Sequence, residues 1–337
     1  MKKILCFGEI LLRLSPRLDG EWIQQSRMEC FVGGAELNVA SALALWKLPV
    51  QYMSAVPDNY LSKEIIQALA LKNIDSNQFI LSGKRIGIYY LPQGADLKHA
   101  AVIYDRAGSS FSELQPGSID WDMVLEGIDW FHFSAISPAL SRSAAAVCEE
   151  ALIVAGKRKI TVSLDLNYRA KLWQYGIDPV KIMTPLASHC DLLMGNIWSA
   201  NSLLATPLDK NIHDKRSKQA YLDHAARSAA WMREKFPSCK MIASTFRFDE
   251  GAGINYYACL DHDGEQKVSR EFSVAKVLDR VGSGDCFMAG LIYGLSKKNS
   301  LQQVVDFAVA AAVGKFSVKG DVTDQTEEDV MSIMHLS

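Results

Sequence analysis

Neither sign of charge predominates in this chain: 36 lysines and arginines face 38 aspartates and glutamates, for a formal net charge of -2. No basic surface therefore advertises nucleic acid or an anionic membrane as a partner. The seven cysteines, at 6, 30, 148, 190, 239, 259 and 286, are odd in number and lack Cys-x-x-Cys spacing. That argues against a zinc site or a disulfide framework and for reduced thiols in a cytosolic setting. Long hydrophobic runs are missing too. The longest, Phe307 to Val313, is far below membrane-spanning length, and Ile4 to Phe7 is too short for a secretory leader. There is no internal repeat, low-complexity tract or interdomain linker. The first strand lacks a Gly-x-Gly-x-x-Gly turn, which disfavours a dinucleotide-dependent oxidoreductase. These absences leave a soluble, cytoplasmic protein whose 337 residues suffice for one large α/β core.

Hydrophobic period and turn residues organise the rest. Lys3 to Gly8 is apolar throughout and reads as a buried strand. Ile10 to Ser15 and Ile23 to Val32 alternate with polar residues around Pro16, Asp19 and Gly20, the pattern of exposed antiparallel strands. Gly33-Gly34 opens a helix from Val39 to Trp46. Val50 to Val56 is a strand and Ser62 to Leu71 an amphipathic helix. Ile86 to Tyr90 and Ala100 to Tyr104 flank a turn at Pro92 to Asp96, a second antiparallel pair. These interruptions, at about 10–33 and 84–108, read as one small sheet over the mouth of a larger domain. From Ile128 the pattern is regular strand–helix alternation, which calls for a parallel sheet. His132, between Trp130-Phe131 and Phe133, reads as a satisfied sheet histidine, and Glu36 as a solvated acid at a helix start.

The chemistry concentrates in Asp279-Arg280-Val281-Gly282-Ser283-Gly284-Asp285, followed by an apolar helical run. Unpaired amides at a helix start hold anions, and glycine lets the backbone approach a phosphate closely. Asp285 would repel such an anion and is not needed for the turn. It makes sense as a base that deprotonates the hydroxyl attacking the phosphate. Taken alone, a glycine pair before an acid is also an ordinary capped turn.

Four further patches accompany it: Gly33-Gly34-Ala35-Glu36-Leu37-Asn38, Tyr104-Asp105-Arg106-Ala107-Gly108-Ser109, the stretch Phe131 to Ser141, and Asp165 to Trp173. In this order and spacing the set resembles the ribokinase/PfkB family of sugar kinases over nearly the whole chain, and within it the branch acting on 2-keto-3-deoxygluconate; a fructokinase or another neutral-sugar kinase of the same fold, and a catalytically inactive sugar- or nucleotide-binding relative, are the alternatives. The resemblance implies a single kinase domain across residues 1–337 with a ribokinase-like three-layer α/β/α sandwich. Its central sheet is mostly parallel, and the lid is a small β-sheet. It implies ATP and Mg²⁺ as cofactors, Asp285 as base, and the amides of Gly282, Ser283 and Gly284 as anion hole. Gly34, Asn38, Tyr89, Tyr104, Arg106, Ile136, Arg169 and Asp321 match sugar-pocket positions. Asn196, Thr245, Gly282 and Gly284 fall to the nucleotide. A substrate carboxylate suits a planar guanidinium, so Arg106 and Arg169 are its candidate partners; each alone also reads as a surface ion pair. Lid strands with open edges suggest a homo-oligomer formed through the lid. Departures from the family pattern are Ser199, where many members carry a magnesium-linked Glu, Arg280, where many carry Thr, and a nucleotide loop at 244–251 without its usual glycines. The metal ligands are left unassigned.

Overall fold

The computed structural model describes residues 3–93, 102–215 and 217–335. Residues 94–96 of the expected lid turn, and Ala100 and Ala101 of its second strand, lie outside the described residues. The strands Lys3–Phe7, Val50–Met53, Ile74–Asp75, Ile128–Ser134, Thr161–Asp165, Leu192–Gly195 and Met241–Glu250 run parallel in one sheet. Gly253–His262 pairs antiparallel with the last of these, and Glu265–Val268 and Phe272–Val274 pair with it in turn. Strands buried on both faces need apolar residues at every position. Accordingly, Ile4 and Cys6 enter one hydrophobic cluster while Leu5 and Phe7 enter another. Trp130 against Phe131 and Phe133, and Leu192 against Leu193, divide in the same way. The sheet is thus the middle of three layers.

Strand order reverses at Lys3–Phe7, whose neighbours are Val50–Met53 on one side and Ile128–Ser134 on the other. In open α/β sheets, ligands bind beyond the carboxyl ends of strands at such a point. Three strands that leave this edge run directly into Gly8-Glu9, Ser134-Ala135-Ile136 and Asp165-Leu166-Asn167.

A second sheet, ordered Glu29–Gly33, Leu11–Ser15, Gly87–Tyr90, Ile103–Asp105, lies within the two segments expected for the lid. Its outer pairs are antiparallel, and a parallel pair between Leu11–Ser15 and Gly87–Tyr90 joins them. One expected strand is shorter than read. Gly20, at φ 88°, starts a short helix Glu21–Gln24 that turns Ile23 out to solvent, and the strand begins only at Glu29. The stretch 244–251 is likewise no loop: Met241–Glu250 is a full strand, and Gly251 belongs to its hairpin turn.

The helix Ser283–Ser296 is placed by its close pairing with the helix Leu301–Lys315. A Cβ on Gly290 would stand 2.5 Å from Cα of Ala308, and one on Gly294 3.0 Å from Val304. Small residues therefore set the spacing, which fixes where the glycine turn preceding Ser283 sits. A capping box of Ser300 and Gln303 starts the second helix. No helix among the described residues is long and apolar enough to cross a membrane.

Candidate active site

One pocket, lying between the strand ends and the lid, is lined by all fourteen residues singled out from the sequence, from Gly34 to Asp321. At one end is the glycine turn. Gly282 is the N-cap of its helix at φ 82°, and a Cβ there would lie 2.1 Å from the Asp321 carbonyl oxygen, so only glycine fits. Gly284 differs. A Cβ at that residue would meet nothing within 4 Å, and Gly284 lines the pocket, so its Cα faces open space. An open cradle of amides at the positive end of a fourteen-residue helix fits a phosphate group.

Asp285 is buried in the first turn of this helix, and Asn38 Nδ2 donates to its Oδ2 at 2.7 Å. Burial raises its pKa to about 7; the charges of Glu36 and Asp321 add to the rise, while Asn38 and Arg169 oppose it. Asn38 Oδ1, on a side chain 3% exposed, has no hydrogen-bond partner among the described residues. Such a buried acceptor suits a ligand hydroxyl.

The raised pKa has a stability consequence. Between the ordinary value of 3.8 and about 7 the folded chain keeps a proton that the unfolded chain releases, so stability falls as pH rises through that window. Asp285→Asn is expected to melt several degrees higher than the parent at pH 8, with the gap closing towards pH 4. A melting series across pH checks this, and equal melting temperatures at pH 8 would refute it.

Glu36 is not the solvated acid expected. It is 1% exposed and accepts hydrogen bonds from Ser134 N at 2.9 Å, Ser134 Oγ at 2.7 Å and Ser137 Oγ at 3.1 Å. Its helix begins at Ala35, so Glu36 points into the reversal between two parallel strands and ties helix to strand end. The absence of a side chain on Gly8 makes room, since a Cβ there would stand 2.0 Å from the Glu36 carboxylate. His132 is buried beside Ser163 Oγ at 3.0 Å, with its pKa lowered by burial to about 3, which makes it the neutral sheet histidine expected.

The two arginines part company. Arg106 is buried in an ion pair with Glu9, at 2.6 Å from Nε and 2.5 Å from Nη2, and Ser109 Oγ also donates to Glu9. Half-buried Arg169 donates to the Tyr168 carbonyl at 3.1 Å and forms no salt bridge among the described residues. Tyr89, 5% exposed, donates to Asp321 Oδ2 at 2.7 Å and packs 6.3 Å from the Tyr104 ring. Tyr104 and Ile136 line the pocket half-buried. Asn196 Oδ1 accepts from Ser199 N at 2.8 Å and caps the helix Ile197–Leu204, while Thr245 reaches the pocket from the strand Met241–Glu250.

Sequence reasoning passed over several residues. Asp165, at a strand end, is buried in the pocket wall with its pKa pushed well up, first by burial and then by Asp285. Arg247 and Arg280 line the same wall and approach Asp249 at 3.8 and 3.5 Å. Arg13, on a lid strand, pairs with Asp279 at 2.7 Å and Asp321 at 2.8 Å, under the ring of Phe31. Asp165, Arg247 and Arg280 stand in the quoted stretches without an assigned role, and for Arg13 the only signal is its inward alternation on a lid strand.

A parallel sheet reversing beneath a small lid, with an amide cradle and a buried acid at one helix start, defines a ribokinase-like carbohydrate kinase. The chain belongs to the PfkB family, since the profile described as pfkB family carbohydrate kinase matches residues 1–328. The crystal structure of a 2-dehydro-3-deoxygluconokinase from Thermotoga maritima is 32% identical, with a TM-score of 0.89 over 99% of each chain. A 2-dehydro-3-deoxygalactonokinase from Haloferax volcanii is 26% identical over 98% of this chain and 96% of its own. A 2-dehydro-3-deoxygluconokinase from Bacillus subtilis is 26% identical over 94% and 90%.

Proposed function

We propose that this kinase transfers the γ-phosphoryl group of ATP to the 6-hydroxyl of 2-keto-3-deoxygluconate, giving the 6-phosphate. The observation that carries the reading is that one pocket holds an amide cradle, a buried acid and an arginine outside any ion pair. The amide cradle and Asp285 share it with Arg169, whose charge reaches Asp285 and which forms no salt bridge among the described residues. ATP would bring the transferred group, and Mg²⁺ bound with it would supply neutralising charge. Among the described residues no three potential ligands cluster for a metal. Mg²⁺ nevertheless suits the site, because it keeps several waters and needs few protein oxygens; Asp165, on the pocket wall, is the acid that would face it.

Asp285 accepts the proton of the attacking hydroxyl. The amides of Gly282, Ser283 and Gly284 face the charge developing on the phosphoryl oxygens, and the lid excludes water. Asn38 orients both Asp285 and a sugar hydroxyl. Arg169 holds the sugar carboxylate, and Asn196 and Thr245 meet the nucleotide. With Asp285 near pKa 7, kcat/KM should climb with pH and level off above neutrality; a flat profile from pH 5.5 to 8.5 speaks against this base.

A neutral ketose is the second reading, favoured by the prior commitment of Arg106 to Glu9. ATP consumption measured with both epimeric keto-deoxy acids and with fructose separates the two, and efficient turnover of fructose alone defeats the first. Gly33-Gly34 joins the lid strand Glu29–Gly33 to the helix Ala35–Leu45, and a Cβ on Gly34 would stand 2.3 Å from the Glu9 carbonyl at φ 145°. Gly34→Val is therefore expected to raise the sugar KM on the order of tenfold or more while moving that of ATP little. Equal changes in both would remove Gly34 from the sugar side. The lid exposes Val32 and Ile103, which a second copy's lid would cover. Light scattering coupled to gel filtration tests that dimer, and a monomer at assay concentration rejects it.

A further inference from the structure

Lys315 is the last residue of the helix Leu301–Lys315, and its side chain is 0% exposed. Lysine is almost never fully buried unless it is compensated, and this one is compensated like a bound ion. Its Nζ donates to the carbonyl oxygens of Val318 at 2.9 Å and Gly320 at 2.8 Å. Asp279 and Asp321 attract the charge from nearby. Asp279 in turn accepts from the amides of Val281 at 3.0 Å and Gly320 at 3.1 Å, besides Arg13. The Lys315 Cε lies 3.2 Å from the point where a Cβ on Gly282 would stand, and the Asp321 carbonyl oxygen lies 2.1 Å from that point. The ammonium therefore sits in the floor directly beneath the first glycine of the amide cradle, outside the pocket itself.

We propose that Lys315 is a positioning residue for the anion hole: a covalently tethered cation filling a cradle built from the Val318 and Gly320 carbonyls beside Asp279. It holds the 318–321 segment against Gly282, aims the Gly282–Gly284 amides and places positive charge under the phosphoryl site. The chain thereby needs no free monovalent cation. A merely space-filling lysine predicts something different, because only a cation-filled cradle can be refilled by an ion from solution. Burial pushes the ammonium's pKa down, while Cys286, Asp279 and Asp321 oppose the drop.

This inference rests on phosphoryl transfer at that turn, so the experiment measures both. ADP and sugar phosphate are quantified directly by chromatography, using tetramethylammonium salts and the sugar acid that the parent enzyme phosphorylates. The parent enzyme should be indifferent to added potassium or ammonium. Lys315→Ala should lose kcat on the order of a hundredfold, with sugar KM changed much less, and ammonium or potassium should recover tenfold or more of it. Ammonium should also raise the melting temperature of Lys315→Ala. Lys315→Met, whose apolar chain fills the cradle, should be slow and beyond rescue. The proposal is overturned by a parent enzyme that requires a monovalent cation, by Lys315→Ala at full speed, or by a loss that no cation restores. An alanine variant that fails to fold even with ammonium present overturns it as well. If the parent enzyme phosphorylates no sugar, or Asp285→Ala stays active, the underlying reaction has failed instead.

Discussion

Asp285→Ala is expected to lower kcat by about a thousandfold or more while leaving ATP and sugar binding within a few-fold of the parent. A positioned base contributes roughly 10²–10⁴ in rate, and no other carboxylate is placed to act in its stead: Asp321 is tied to Tyr89 and Arg13, and Glu36 to Ser134 and Ser137. Asp165 shares the pocket wall, but burial together with the charge of Asp285 pushes its pKa well up, which favours its protonated form. The alanine variant also removes a buried charge, so the fold should survive the change. Calorimetric titration with ATP and the sugar acid, set beside steady-state rates, checks the separation. Retention of a tenth of parent turnover would sink the assignment.

Arg169→Ala should raise the KM for a keto-deoxy sugar acid by about 10–100-fold, the worth of one charge-assisted contact of ~1.5–3 kcal/mol. Neutral ketose turnover, where it occurs, should not follow. A second readout is built in. The Arg169 charge holds the Asp285 pKa down, so its loss should move the rising limb of the pH–rate profile to higher pH. If sugar acid and ketose suffer alike, Arg169 is not the carboxylate's partner. Arg106→Ala is a poorer probe, because it strands Glu9, 2% exposed, without its counter-ion, at a cost of about 3–5 kcal/mol to the fold.

The difference between those two arginines marks the limit of what could be read in advance. Both sit in motifs that point to the pocket, and both reach it. Which of them is already neutralised depends on Glu9, 97 residues away along the chain. Glu36 departs from expectation for the same reason. At a helix start an acid is ordinarily solvated, but its serine partners lie 98 and 101 residues on, at the end of the neighbouring parallel strand. Arg13 meets Asp279 across 266 residues. Lys315 gave no sign at all, since a lysine ending an alanine-rich helix normally reaches for water.

Local features fared better because their causes lie within a few residues. The apolar period marked the parallel strands, and the alternation of the lid segments marked a half-covered sheet. Gly282 occupies a turn whose φ and crowding admit only glycine, and Asp285 follows it into the first helical turn. The sequence by itself therefore determined the layered fold, the glycine turn and the acid that follows it into the helix, all set by short-range sterics and hydrogen bonding. Only the tertiary structure decided which charges are paired, which are buried, and which still face the pocket. Those properties depend on the dielectric surroundings and on partners that the crossover topology brings together from distant parts of the chain.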